Sequence, residues 1–545
     1  MYIEFCIENT PRVLGCLDRN LLSQTYGCAD WKYWHDKNID IPSGHDQEMI
    51  YFLALIYSTP FNTNIYYKNK VVLEYIRAGV RFWIKSVRDN GFLDEFYKNE
   101  AQFGATAIVT WAMSETFLII KDTLSKKEVN AIISTLLKSG LWLCRNDEKT
   151  NLCNHQSQAL LALYNINLIT DVKSIHNGIL EKKKRVLRLF HEEGWFEEYD
   201  FFDPGYLTTT LSFLSRYWKS SQDNHMLSLI VKCLEILKYC FLPDWRFGGI
   251  VGSRNTKHCW PSTFEILSPL NDTAKSISAY YRNGLGKGVV FNPSYQDRYF
   301  VQQLYDYIWS YTNATHILED IRPLPFLGES FKKYFSDSGI FAIKNKNGQC
   351  LLMNLKKGGV YHYCRVDNHN EVLSQEINSG MAIVLKNNKV ISSDYNKGLN
   401  HISIKETKEV VEISIRGGMH YSKYLFPSPF KFILFRLFTL MFCRVAFVRK
   451  IFRQFLAKIL IMSRKRANVD FERRIFISGD KISLLNRVKT HGRFLHCIER
   501  IVFGGNFVNI YVPYSRGFEQ ADLFSKPKVF HFMENETLEY SQLLK

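Results

Sequence analysis

What the chain lacks narrows the reading first. Its 12 cysteines are scattered singly, with no C-x-x-C pair and no regular spacing. That excludes a disulfide framework and favours free thiols in a reducing cytoplasm. The opening stretch MYIEFCIENTPRVLGCLDRN has no basic segment followed by an apolar one, so no signal peptide is expected. No strict sequence repeat stands out. Acidic residues are in deficit, 53 Asp and Glu against 70 Lys and Arg, for a net charge of +17. Such a balance suits polyanionic partners, whether acidic polysaccharide, nucleic acid or anionic lipid, and composition does not choose among them.

The deficit is complete between Pro429 and Ala467, where ten Lys and Arg meet no Asp or Glu. The longest uncharged run there, from Leu437 to Cys443, is far short of the roughly 20 apolar residues that cross a bilayer. Basic residues recurring among Phe, Leu and Ile predict one or two amphipathic helices lying in a membrane interface. An anionic membrane surface is therefore an expected partner, reached through 429–467.

What is present is ample for large cores. The 545 residues are 46% apolar, enough for two or more domains. Aromatics reach 15%; core packing accounts for most of them, and stacking on sugar rings is the functional use that composition admits. Segments 48–58, 71–87, 105–124, 127–144, 157–168, 179–191, 207–219, 226–241, 273–282 and 297–310 carry apolar residues at three- and four-residue spacing. Short connections between them predict antiparallel helix pairs. Pro323, Pro325 and Gly328 mark a boundary. Beyond it the period turns to alternation, at 339–343, 349–355, 381–385, 390–391, 410–415, 474–477, 482–487 and 507–512, which predicts an antiparallel β-sandwich. The expected organisation is a helical domain over 1–325 and a sandwich over 326–545, interrupted by 429–467.

Two groups of residues carry chemistry. In the sandwich half, His369, Asp394 and His401 open, centre and close one strand-rich stretch, so a hairpin could gather two imidazoles and a carboxylate around one divalent ion. In the helical half, Asn154-His155 precedes a helix, and Glu192-Glu-Gly-Trp-Phe-Glu-Glu198-Tyr-Asp-Phe-Phe-Asp203-Pro-Gly-Tyr206 follows some fifty residues on. The loop bearing Arg254 and His258 offers cations for a substrate carboxylate or sulfate.

Set in that order, these segments resemble the heparinase II/III-like polysaccharide lyases, a group similar in fold to the alginate lyases and dermatan sulfate epimerase. The family's His-x-His-x-Asp-x-x-Ser segment corresponds to Asp367-Asn-His369-Asn-Glu371-Val-Leu-Ser374, its turn to Ser393-Asp394-Tyr395 and its His-Asn pair to Asn400-His401. The resemblance implies a multidomain α + β chain, with an incomplete (α/α) toroid followed by a C-terminal antiparallel β-sandwich. It implies a structural divalent metal, usually zinc, on His369, Asp394 and His401. It also implies Asn154 for carboxylate neutralisation, His155 as base or carboxylate ligand, and Tyr206 as general acid/base. The family's sandwich-side catalytic histidine is Asp367 here, and His362, five residues earlier, is a candidate replacement.

The implied activity is β-elimination on a uronic-acid-containing glycan, free or lipid-linked, in bacterial surface polysaccharide metabolism at the cytoplasmic membrane face, with no nucleic acid partner. A uronyl C5-epimerase and a non-catalytic glycan-binding or assembly protein are the alternatives. A glycoside hydrolase using Glu197, Glu198 and Asp203 ranks last, because it needs two carboxylates flanking the bond.

Overall fold

The structure, a computed structural model, describes residues 1–544 except 149, 290–295, 316–318, 396–399, 423–427, 458–463, 480, 508–514, 516–519 and 532–535. A helical region is followed by antiparallel sheets, as the change of period requires. All ten periodic segments form helices, although 179–191 ends in the short strand Phe190–His191. Polar caps set several of their starts: Asn69 accepts from the N–H groups of Val71 and Val72, and Ser125 with Glu128 forms a capping box.

Six helices pack in succession: Met49–Ser58, Phe103–Ile120, Cys153–Thr170, Pro204–Ser221, Ser262–Leu267 and Asp297–Asn313, the last returning to the first. Each is backed by an outer helix, in the same order Lys70–Ser86, Lys126–Arg145, Lys173–Arg188, Asn224–Leu237, Asp272–Gly286 and Tyr2–Cys16. This is the α/α toroid. Two members escape the periodicity reading. Tyr2–Cys16 lies before the periodic region, and Ser262–Leu267 is buried at every residue, so it has no polar face to reveal a period. Phe103–Ile120 is also apolar nearly all round. By composition it could cross a membrane, but it lies 83% buried inside the toroid.

Aromatic rings fill the centre. Tyr51, Trp111, Phe213, Trp260 and Tyr305 touch in a closed cycle with centroids 4.8–5.8 Å apart. Much of the aromatic surplus is thus core packing.

The C-terminal half is two antiparallel sheets. A five-stranded meander runs Phe331–Phe335, Ile340–Lys344, Gln349–Asn354, Val360–Val366, Val372–Asn378. Its middle strands are buried on both faces: Ile340, Ala342, Cys350 and Leu352 join the helical core, while Phe341, Ile343, Leu351 and Met353 join the core shared with the second sheet. That second, nine-stranded sheet contains Met381–Leu385, Val390–Ser392, His401–Glu406, Val410–Tyr421, Arg466–Ser478 and Lys481–Thr490. The strand expected at 507–512 falls almost wholly outside the described residues.

Val410–Tyr421 and Arg466–Ser478 are hydrogen-bonded neighbours, and the basic segment is inserted between them. It forms two helices, Pro429–Met441 and Ala446–Ala457, which reach across to the helical half at Tyr97 and Asn99.

Candidate functional site

The inner helices begin at one rim of the toroid. Asn154 and His155 stand in the first turn of Cys153–Thr170, Tyr206 in that of Pro204–Ser221, and Arg298 and Tyr299 in that of Asp297–Asn313. Helix N-termini gathered this way offer positive dipole ends and orphan N–H groups to an anion.

Glu198 organises the first part of the rim. Its carboxylate accepts from the Asn154 N–H and side-chain amide, both at 2.7 Å, and from the Thr210 hydroxyl at 2.9 Å. It is fully buried, and burial pushes its pKa well up against the pull of those donors. Asn154 is therefore fixed in orientation. His155 is held by Glu148, Nδ1 to Oε2 at 3.1 Å, and its ring packs where Gly104 leaves space for it.

The next two residues are bent sharply. Tyr199 and Asp200 have φ of +57° and +62°, a left-handed pair that costs energy for non-glycine residues. The turn is pinned by Glu198 N–H to Phe201 O and Tyr199 N–H to Asn151 O, both at 2.8 Å. Its effect is to place the Tyr199 ring beside Tyr206, centroids 5.5 Å apart, with the Arg254 guanidinium 3.9 Å above it. Burial raises the Tyr199 pKa, while the Arg254 charge and a hydrogen bond from Tyr206 pull it down.

Arg254 is only 7% exposed. Among the described residues no carboxylate pairs with its guanidinium, and its Nε is buried without a hydrogen-bond partner. A desolvated cation in that state is expensive unless an anion arrives to meet it.

Asp203 holds Tyr206 and Arg254 in place. Its carboxylate accepts from Tyr206 N–H at 3.1 Å, from Arg254 N–H at 2.8 Å and from the Thr256 hydroxyl. From the sandwich side, Lys357 donates to Ile250 O at 2.9 Å, Gly252 O at 2.6 Å and the Asn255 side chain. Burial lowers the Lys357 pKa to about 8. The loop presenting Arg254 is thus clamped by both halves of the chain.

His258, expected to bind substrate, is instead fully buried behind this loop. Its Nε2 lies 2.9 Å from the Thr209 hydroxyl and its ring meets Tyr206 edge-on at 5.5 Å. Burial lowers its pKa from 6.5 to about 3. The folded state keeps this imidazole neutral, so below pH 6.5 the unfolded chain binds the extra proton. The associated stability is present above pH 6.5 and is lost as pH falls towards 3. Its slope approaches about 1.4 kcal/mol per pH unit. Urea unfolding of wild type and His258→Gln between neutral pH and about pH 5 should show that extra slope in wild type only; equal slopes would remove this account.

Other expected site residues are not brought to the rim. Asp367 caps a turn, accepting from the N–H groups of His369 and Glu371 at 2.8 Å each. It lies at the end of Val360–Val366 opposite to Lys357, roughly 20 Å away along a seven-residue strand. Its predicted catalytic place is corrected accordingly. His362 is buried and bonds Asp244, Nε2 to Oδ2 at 3.0 Å, so it faces the helical core instead of substrate.

The metal set is also corrected. His369 shares the turn of Asp367, whereas Ser393, the neighbour of Asp394, sits against Gly358 and Gly380 at the other end of that sheet, so strand length separates the donors. His401 is exposed, opposite Arg416. The buried Asp394 already faces a cation, Arg464 Nη1 at 3.1 Å, and accepts from Ser392 Oγ at 2.6 Å. These residues do not fit a zinc ion. Among the described residues, a different trio, Asp244, His362 and Cys364, places its donor atoms within 4.8 Å of one another and could hold a divalent ion. The sequence signal for it was thin, because Asp244 is over a hundred residues from the i, i+2 pair it meets.

The sandwich wall near the rim presents Arg464, with its guanidinium 5.5 Å from the Tyr395 ring, which packs on His420 at 4.6 Å. Burial and the Arg464 charge lower the His420 pKa to about 4. Of the three carboxylates offered for a glycoside hydrolase, Glu198 and Asp203 are fully buried and committed to protein donors, and the half-buried Glu197 accepts from the Asn151 amide at 3.0 Å.

In architecture the chain is a helical toroid followed by antiparallel sheets. No protein-family model matches the chain, and no curated protein does. Among solved structures it is similar to the chondroitin AC lyase of Streptomyces coelicolor A3 in complex with chondroitin sulphate. The TM-score is 0.57 at 8% identity, over 92% of this chain and 67% of that one. Heparinase III aligns over 93% of this chain and 78% of its own, at TM-score 0.49 and 10% identity. At such identity the likeness is one of fold.

Proposed function

We propose that this chain is a polysaccharide lyase that cleaves a uronic-acid-containing glycan by β-elimination. The observation that carries the reading is Arg254, a buried guanidinium with no carboxylate partner among the described residues, stacked on Tyr199 at a rim of helix N-termini. A substrate carboxylate would complete it. Arg254 and the fixed Asn154 amide then neutralise the charge that grows on the carboxylate as the neighbouring C5–H proton is removed. The electron pair forms the C4–C5 double bond, the C4–O bond breaks, and the leaving oxygen takes a proton. The Tyr199–Tyr206 pair can remove the first proton and supply the second. His155, steadied by Glu148, lines the same rim.

With Asp367 remote, proton transfer in the lyase reading is assigned to the helical half; an epimerase would need acid/base groups on both faces of the ring. Tyr395 and His420 are the groups on the sandwich wall that would supply that second face. The test is ultraviolet absorbance of the unsaturated uronate on a panel of acidic glycans, repeated in heavy water. Absorbance on a uronate polymer, absent on a neutral glucan, is the expected result. Deuterium entering C5 without absorbance would replace the lyase by an epimerase. Neither signal on any glycan would leave a binding role.

A further inference from the structure

The inserted helical hairpin reverses the chemistry of an ordinary surface element. Three of its arginines turn inward. Arg436 donates to Phe96 O at 3.2 Å and pairs with Asp40 at 3.3 Å, Arg453 donates to Ala101 O at 2.6 Å, and Arg449 lies 5.0 Å from the Phe92 ring. Phe435 meets Tyr97 edge-on at 5.1 Å, and Asn99 donates to Thr439 O at 3.3 Å. These contacts fasten the hairpin to the 92–101 loop of the helical half.

Many of its apolar side chains turn outward. Phe430 is 69% exposed, Phe447 70%, Met441 57%, Phe455 56%, Leu434 50% and Phe442 50%. Surface helices normally bury that stripe, and an exposed apolar face of this extent marks an interaction site. Lys431, Arg444 and Lys450 are exposed among these residues, and the segment holds no acidic residue.

We propose that this hairpin is a monotopic anchor that lies in the plane of a bilayer, its phenylalanines among the acyl chains and its lysines against anionic headgroups. The helices, of 13 and 12 residues, are too short to span, since a crossing needs roughly 20, so they lie along the surface. Charge decides against a second copy of this chain as the occupant. Two such faces would set Lys431, Arg444 and Lys450 of each against those of the other with no acid between them, a juxtaposition that interfaces exclude. Anionic lipid complements both the apolar and the cationic residues.

The anchor also reaches the candidate site. Glu95, in the loop the hairpin grips, pairs with Arg298 at 2.6 Å, and Arg298 donates to the Tyr299 hydroxyl at 2.9 Å. The rim is therefore held close to the docking surface, suited to a glycan presented from a membrane.

Vesicle flotation of the full chain reads the anchor without reading catalysis, so this inference and the lyase reading fail separately. Binding to phosphatidylcholine vesicles containing phosphatidylglycerol should exceed binding to phosphatidylcholine alone. Substituting Phe442, Phe447 and Phe455 together by Ser should lower the partition coefficient on the order of a hundredfold, with circular dichroism unchanged because all three are exposed. Lys431→Glu, Arg444→Glu and Lys450→Glu together should abolish the preference for the anionic vesicles. Equal flotation of wild type and the serine variant would overturn the proposal. So would a wild type that ignores vesicles and scatters light as a dimer the serine variant dissolves.

Discussion

Tyr199→Phe is expected to lower kcat for β-elimination by roughly 10²- to 10⁴-fold, the usual contribution of a positioned acid/base group, with little change in stability. Among the tyrosines at the rim, Tyr199 receives the Arg254 guanidinium on its ring and a hydrogen bond from Tyr206. Both interactions favour the phenolate, against burial that disfavours it. Its strained φ of +57° is what turns it into that position. Tyr206→Phe removes the hydrogen bond but leaves Arg254, so a smaller loss, about tenfold, is expected, accompanied by an upward move of the limb on which activity rises with pH. The absorbance assay with both variants checks this. A Tyr199→Phe enzyme with near-normal kcat would transfer the acid/base role to Tyr206, the residue the family resemblance selects.

Asp203→Ala should destabilise the protein by about 3–5 kcal/mol, as expected when a fully buried charged acceptor is removed from its donors. The carboxylate is 0% exposed and satisfies three groups from two elements. Its removal unties the start of Pro204–Ser221 from the Arg254 loop. Asp203→Asn keeps an acceptor and should lose less than half as much. Chemical denaturation measures both; a loss below about 1 kcal/mol for the alanine variant would mean that the Lys357 clamp holds the loop by itself. Activity should fall in both variants, because Arg254 and Tyr206 take their positions from this side chain.

The helical and sheet halves were legible because burial on one face writes a period into the sequence. Segment 71–87, found as Lys70–Ser86, and segment 482–487, inside Lys481–Thr490, are such cases. Legibility failed where burial has no sidedness, as in Ser262–Leu267, whose six buried residues carry no polar marker. The site divides in the same way. Asn154, His155 and Tyr206 were singled out by the family resemblance, and Arg254 by its place in a basic loop. Tyr199 was not, because its position depends on a left-handed turn at non-glycine residues. Asp203 looked like a candidate acid and proved to be a structural acceptor.

By itself, then, the chain's residue pattern determined the order of a helical half and a sheet half, the excess of positive charge and the acid-free insertion. These follow from local period and composition. Tertiary structure decided the rest. Strand length carried His369 and Asp367 to the far end of the sheet from Asp394, and Arg464 took the place of a metal beside that aspartate. Packing against the 92–101 loop turned Arg436, Arg449 and Arg453 inward and left Phe430, Phe442, Phe447 and Phe455 outward. Which groups meet is set by distances across the fold and by which charges burial forces into pairs, and neither is written in sequence spacing.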